Sequence, residues 1–142
     1  NLKKIFISSD HAGFRLKEDI KKYLKSNKLN FKDLGPVNND SVDYPDFAKA
    51  VATALVSGEV EKGVLICGTG IGMSMSANRV TGVRAALCTN SEMATLSRLH
   101  NNANILVLGA RILDLAIAQD CLRAFLETRF EGGRHQPRVE KI

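Results

Sequence analysis

The sequence predicts a three-layer α/β/α sandwich on a five-stranded parallel sheet of the Rossmann-like kind, with an arm at its C-terminal end. Short β-branched or aliphatic runs alternate with helical periodicity along the chain, the pattern of a parallel sheet covered by helices on both faces. The segments richest in glycine and reactive side chains fall just after the strand-like runs, where such sheets bind ligands. With 142 residues, the chain is expected to form one unit over residues 1–142.

Strands are predicted over residues 4–8, 30–34, 63–67, 83–88 and 104–108. Between the first two, Leu16, Ile20, Tyr23 and Leu24 make an apolar stripe at helical spacing. Phe47, Val51, Ala54 and Leu55 make a second, and Leu113, Ile117, Cys121 and Phe125 a third. Pro45 suits the first turn of the second helix, where its missing N–H costs nothing. Residues 35–46 then form a polar loop leaving a strand end. The last ten residues carry too much charge and proline to continue the preceding helix, and are expected to pack on something else.

Hydrophobic residues are 44% of the chain and charged residues 25%, a balance that excludes a disordered chain. A net charge of +5 and a pI near 9.3 favour anionic partners. Much of the excess is Lys17, Lys21, Lys25 and Lys28, read as a solvated helix face. With six Phe, two Tyr and no Trp there is little to stack on bases, so no nucleic-acid partner is expected. Arg111 and Asp114 interrupt the longest apolar stretch, so no membrane span is expected either. Cys67, Cys88 and Cys121 are odd in number and widely spaced, which argues against disulfides and a zinc site. Without an export signal in the opening residues, the expected location is cytoplasmic.

Cys67-Gly68-Thr69-Gly70-Ile71-Gly72 stands between a strand and a helix. Its glycines let the backbone turn tightly and present N–H groups beside a helix N-terminus, a cradle for a phosphate or for an oxyanion formed in a reaction. The spacing G-x-G-x-G is neither the dinucleotide fingerprint nor a Walker loop. Cys67 reads either as a small buried hydrophobe or as a thiolate favoured by that cradle. Cys88 is followed by Thr89-Asn90-Ser91-Glu92, a helix cap, and Cys121 lies in an apolar stripe, so both read as core. Asp10-His11-Ala12-Gly13 follows the first strand, with Asp10 either an N-cap or a cleft carboxylate. His100-Asn101-Asn102-Ala103-Asn104 precedes the last strand, as a surface loop or a site segment. Arg111, Arg134 and Arg138, with His135, could clamp a phosphate or be solvated charges.

Together these motifs, with Gly109-Ala110-Arg111, resemble the type B ribose-5-phosphate isomerases of the ribose/galactose isomerase family, across the whole chain in order and spacing. The resemblance implies interconversion of ribose 5-phosphate and ribulose 5-phosphate through an enediolate, in the pentose phosphate pathway, with no metal and no cofactor. It implies Cys67 as the base, the loop of Gly68, Gly70, Ile71 and Gly72 as the oxyanion cradle, and the Thr69 hydroxyl assisting. His100 would open the sugar ring, Asp10, His11 and Asn101 would bind the sugar, and Arg111, Arg134 and Arg138 the substrate and its phosphate. A branch with a glutamate after the loop lacks the cysteine. Met73 stands at that place here, so the chain resembles the cysteine branch. Alternatives are an allose or galactose 6-phosphate isomerase and a non-catalytic phosphate-binding module.

Element lengths add an expectation about assembly. A helix of about ten residues after Cys88, at 1.5 Å per residue, matches the length of a five-residue strand. His100 should therefore emerge at the sheet edge opposite Cys67, and the last helix should return Arg134 and Arg138 to that same far edge. A homodimer, or a dimer of dimers, with sites shared between subunits would reunite them.

Overall fold

Three strands carry almost unbroken apolar runs, β1 (Ile5–Ser9), β3 (Lys62–Cys67) and β5 (Ile105–Gly109), and each is buried along nearly its whole length. Such runs suit the middle of a sheet covered on both faces. The computed structural model, which describes residues 4–142, places them there. The sheet is five-stranded and parallel, in the order β2-β1-β3-β5-β4, with the short β2 (Phe31–Asp33) and β4 (Ala85–Leu87) at its edges. Observed strands begin or end within one or two residues of the predicted ones. The largest difference is β4, three residues instead of six, because an edge strand has only one neighbour to pair with.

Two apolar layers sandwich the sheet. On one face pack α1 (Phe14–Ser26), α4 (Ser91–Asn101) and α5 (Leu115–Glu127), through Leu16, Ile20, Ala94, Cys121 and Phe125. On the other pack α2 (Tyr44–Val56) and α3 (Ile71–Asn78), through Val51, Ala52, Met73 and Ala77. β1 and β5 therefore feed helices on one face, while β3, lying between them, feeds a helix on the other. Loops leaving the carboxyl ends of β1, β3 and β5 diverge over Cys67, the position at which open parallel sheets form their ligand crevice. Gly13 keeps that crevice tight, because a Cβ there would lie 2.5 Å from the Ile66 carbonyl oxygen.

Several expectations are corrected. Ile117 is 38% exposed, and Ala118 and Leu122 take its place in the α5 core stripe. The Asp114 side chain accepts the Ile117 N–H at 2.9 Å, which fixes Ile117 in the outward-facing first turn. Lys17 is no solvated charge. It is fully buried, with Nζ donating to both Asp33 carboxylate oxygens (2.8 and 2.6 Å) and to the Pro36 carbonyl (2.9 Å). The C-terminal arm is partly helical, with a 3-10 turn (Gly133–His135) and a short α6 (Gln136–Val139), and it packs on its own chain through the buried His135. No helix of the described residues is long and apolar enough to cross a membrane.

Candidate active site

Cys67 is the last residue of β3, paired with Gly109 of β5, and is 5% exposed. The chain after it turns sharply: Gly70 adopts φ +83° and caps α3, and a Cβ there would lie 2.5 Å from Leu87. This turn aims the Gly70 N–H at Cys67 Sγ, 3.1 Å away. A hydrogen bond of this kind strengthens when its acceptor carries charge. Thr69 Oγ1 accepts the Ile71 N–H at 3.2 Å. Two of the loop's amides are thus committed to the loop itself, and the amides of Gly72 and Met73, in the first turn of α3, have no partner within the helix. Met73 is fully buried.

Four neighbours frame the sulfur's side of the crevice. The Arg111 N–H bonds the Gly68 carbonyl at 2.8 Å, and its guanidinium lies against Gly68, where a Cβ would stand 2.9 Å from Nη1. Asp10, 7% exposed, accepts the Gly13 N–H at 2.9 Å, so its carboxylate does close the turn into α1 while lying at the carboxyl end of β1. His11 Nδ1 accepts the Val42 N–H at 3.2 Å, which leaves Nε2 as the ring's donor and ties the 35–43 loop to the site. The fourth, Tyr44, was not among the candidates read from the sequence. Its ring covers Gly72, so closely that a Cβ there would come within 2.6 Å of it. Its position in the first helical turn beside Pro45, facing a polar loop at a strand end, was the signal available.

The remaining candidates lie elsewhere. His100 and Asn101 form the last turn of α4, which runs antiparallel to the sheet and ends near the amino end of β5. Since Ile105 of β5 pairs with Gly63 and Gly109 with Cys67, four residues of strand, about 13 Å, separate that level from the sulfur. The C-terminal arm joins His100 there: the His135 ring stacks on the His100 ring at 4.3 Å between centroids, 18° from parallel. Arg134 and Arg138, both exposed, belong to the same segment. Within one chain, Cys67, Thr69, Asp10, His11 and Arg111 come together, whereas His100, Asn101, Arg134 and Arg138 gather at the opposite edge.

All three cysteines are unpaired and buried. Burial, with the neighbouring Cys121 thiol adding to it, pushes the Cys88 thiol up to about 12. Burial, assisted by Asp120, pushes Cys121 up to about 11. Both are inert packing groups, in line with the sequence reading.

Comparison with known proteins gives a consistent result. The model of the Ribose/Galactose Isomerase family matches residues 5–142. Ribose-5-phosphate isomerase B of Escherichia coli is 44% identical over 141 residues, covering 99% of this chain and 95% of its own. The crystal structure of a ribose 5-phosphate isomerase from Thermotoga maritima superposes with a TM-score of 0.97 at 50% identity, covering 99% of this chain and 97% of that one. Ribose-5-phosphate isomerase B from Mycoplasma genitalium, solved with bound ribulose-5-phosphate, superposes with a TM-score of 0.92 at 46% identity, covering 97% and 92%.

Proposed function

This chain belongs to the ribose/galactose isomerase family, and from that premise we propose that it interconverts ribose 5-phosphate and ribulose 5-phosphate with Cys67 as the proton-transferring base. The observation that carries the reading is the Cys67 sulfur at the end of a central strand, bonded by the Gly70 N–H and lying where neighbouring loops diverge. In the aldose-to-ketose direction the thiolate removes the proton from C2 of the open-chain aldose. Electrons move to the C1 carbonyl oxygen, giving an enediolate; the hydroxyl proton passes from O2 to O1, and the proton held by the thiol returns to C1 as the C2 carbonyl forms. One base on one face suffices, provided the negative charge at the two oxygens is stabilised while it lasts. The first-turn amides of α3 and the Arg111 guanidinium are the donors available for that task, with the Thr69 hydroxyl beside them. Asp10 and His11 line the sugar's side.

Ribose 5-phosphate in water is mostly a ring and must be opened first. We assign that step to His100, and sugar and phosphate contacts to Asn101, Arg134 and Arg138, all supplied by a second copy of the chain. This follows from their location at the far edge: a two-fold partner can bring its amino edge to this chain's carboxyl edge. The working enzyme is then a homodimer, alone or paired into a tetramer. Its unpaired thiols suit a reducing compartment, and we place it in the cytoplasm.

The test is direct. Protein incubated separately with ribose 5-phosphate, allose 6-phosphate and galactose 6-phosphate, without added metal, should form ketose fastest from the pentose. Turnover of a hexose phosphate alone would overturn the pentose assignment, and no turnover of any would leave a binding module.

A further inference from the structure

We propose that His100, Glu131 and His135 form a binding site for a zinc-class divalent ion, and that an ion held there inhibits the enzyme by capturing His100. One donor atom from each of the three residues lies within 4.8 Å of the others. Zinc bound tetrahedrally at about 2.0–2.1 Å holds neighbouring donors roughly 3.4 Å apart, so the set closes once the side chains turn toward a common point. The most telling atom is His135 Nε2. It is buried and makes no hydrogen bond, although Glu131 Oε1 stands only 3.1 Å away. With the ring neutral and its proton on Nδ1, Nε2 and the carboxylate oxygen are two acceptors side by side, the arrangement of ligands that share a cation. A buried polar atom without a hydrogen bond is rare in folded proteins, and a bound ion is one of the things that satisfies it.

The backbone holds the three residues in place. The Glu131 N–H bonds the Leu99 carbonyl at 3.1 Å, pinning the arm to the last turn of α4, and the His135 N–H bonds the Gly132 carbonyl at 3.0 Å. Glu131 is half exposed and its carboxylate can adjust, whereas the His135 side chain is 8% exposed and fixed. Two imidazoles and one carboxylate favour zinc, copper(II) or nickel over calcium or magnesium. Their stacking has a consequence. Rings 18° from parallel direct their in-plane lone pairs side by side, so the His100 ring must rotate to share an ion with His135. That rotation removes His100 from proton transfer, which is why the ion inhibits. The inhibitory half rests on the assignment of His100 as the ring-opening acid, and the binding half does not.

Binding is measured on the Cys67→Ala protein, so that the thiolate cannot hold the ion, by competition with a chromogenic zinc indicator. One zinc ion per chain is expected. Adding His135→Gln or the exposed Glu131→Gln should weaken it by more than about tenfold, the scale on which even outer-shell changes act. Circular dichroism checks that the His135 variant folds, and the Glu131 variant gives the answer if it does not. Zinc affinity equal in all three proteins, or lost with Cys67 alone, overturns the site. In the enzyme with Cys67 intact, Glu131→Gln should raise the inhibitory zinc concentration by a similar factor, and no change overturns the capture of His100. Failure of every protein to isomerise ribose 5-phosphate without zinc would count against the proposed function instead, since the binding measurement does not depend on turnover.

Discussion

At Cys67 the local fold does two things that are usually in conflict: it buries a sulfur and hands it a backbone donor. The thiol is 5% exposed yet receives the Gly70 N–H at 3.1 Å, while Cys88 and Cys121 are buried among apolar groups that oppose ionisation. Alkylation by iodoacetamide requires thiolate. At pH 8, thiols held near 12 and 11 are almost wholly protonated, so Cys67 should label first, and ribose 5-phosphate should protect it. Peptide mass analysis reads the order, and equal labelling of all three would contradict the difference in environment. Replacing Cys67 with Ala should reduce isomerisation below a few per cent while leaving phosphate-ligand affinity nearly unchanged, because the thiol acts on a carbon-bound proton and not on the anchor. Single-turnover kinetics and a ligand titration separate the two effects.

Elements position these residues through a few close approaches. Gly109, the last residue of β5, passes so near the loop that a Cβ would lie 2.5 Å from the Thr69 carbonyl oxygen. Backbone cannot yield as a flexible side chain does, so Gly109→Ala should displace the loop and cut kcat by at least about tenfold, with about 1–3 kcal/mol lost in stability. A variant with normal kcat would show that the loop has slack. On the far side of β1, the Lys17–Asp33 pair joins α1 to β2, with Lys21 and Glu18 completing the cluster. Burial opposes the charge on Asp33, but hydrogen bonds from Lys17, Lys21 and the Gly35 N–H outweigh it and hold the carboxyl below its ordinary value. The hydrogen bond from Lys21 does the same for Glu18, against a smaller opposition from burial. Both values fall from ordinary ones of 3.8 and 4.5, so the cluster's contribution is complete above about pH 4.5. It is lost as pH falls through the lowered folded values. Asp33→Asn leaves the buried Lys17 with the Pro36 carbonyl and a single carboxylate, Glu18 at 3.4 Å, and should cost about 3 kcal/mol at pH 7. Urea unfolding should show a lower midpoint at unchanged slope, with weaker dependence on pH below 5 than the parent.

For the whole molecule, the proposed site requires two groups of side chains at opposite sheet edges to meet. A dimer with sites shared between subunits makes a specific demand. Cys67→Ala and His100→Asn, each inactive alone, should complement when refolded together. Random pairing makes half the dimers mixed, each with one intact site of two, so activity should return to roughly a quarter of the parent. Mixed dimers verified by an affinity tag, without activity, would mean that His100 serves its own chain's Cys67.

The sequence alone determined the order and type of the elements as far as α5, the glycine turn after Cys67 and the cap at Asn90, because periodicity, turn chemistry and capping act over a few residues. It also placed His100 and Cys67 at opposite edges, since that needs only element lengths. Tertiary structure alone decided which lysine of α1 is buried, that Ile117 faces outward, that Tyr44 lies on Gly72 and that His135 stacks on His100. Each of these depends on how far a helix is rotated against its neighbours, or where a turn returns the chain. The partners are 16 residues apart for Lys17 and Asp33, 28 for Tyr44 and Gly72 and 35 for His100 and His135, and no local pattern in the sequence carries that rotation.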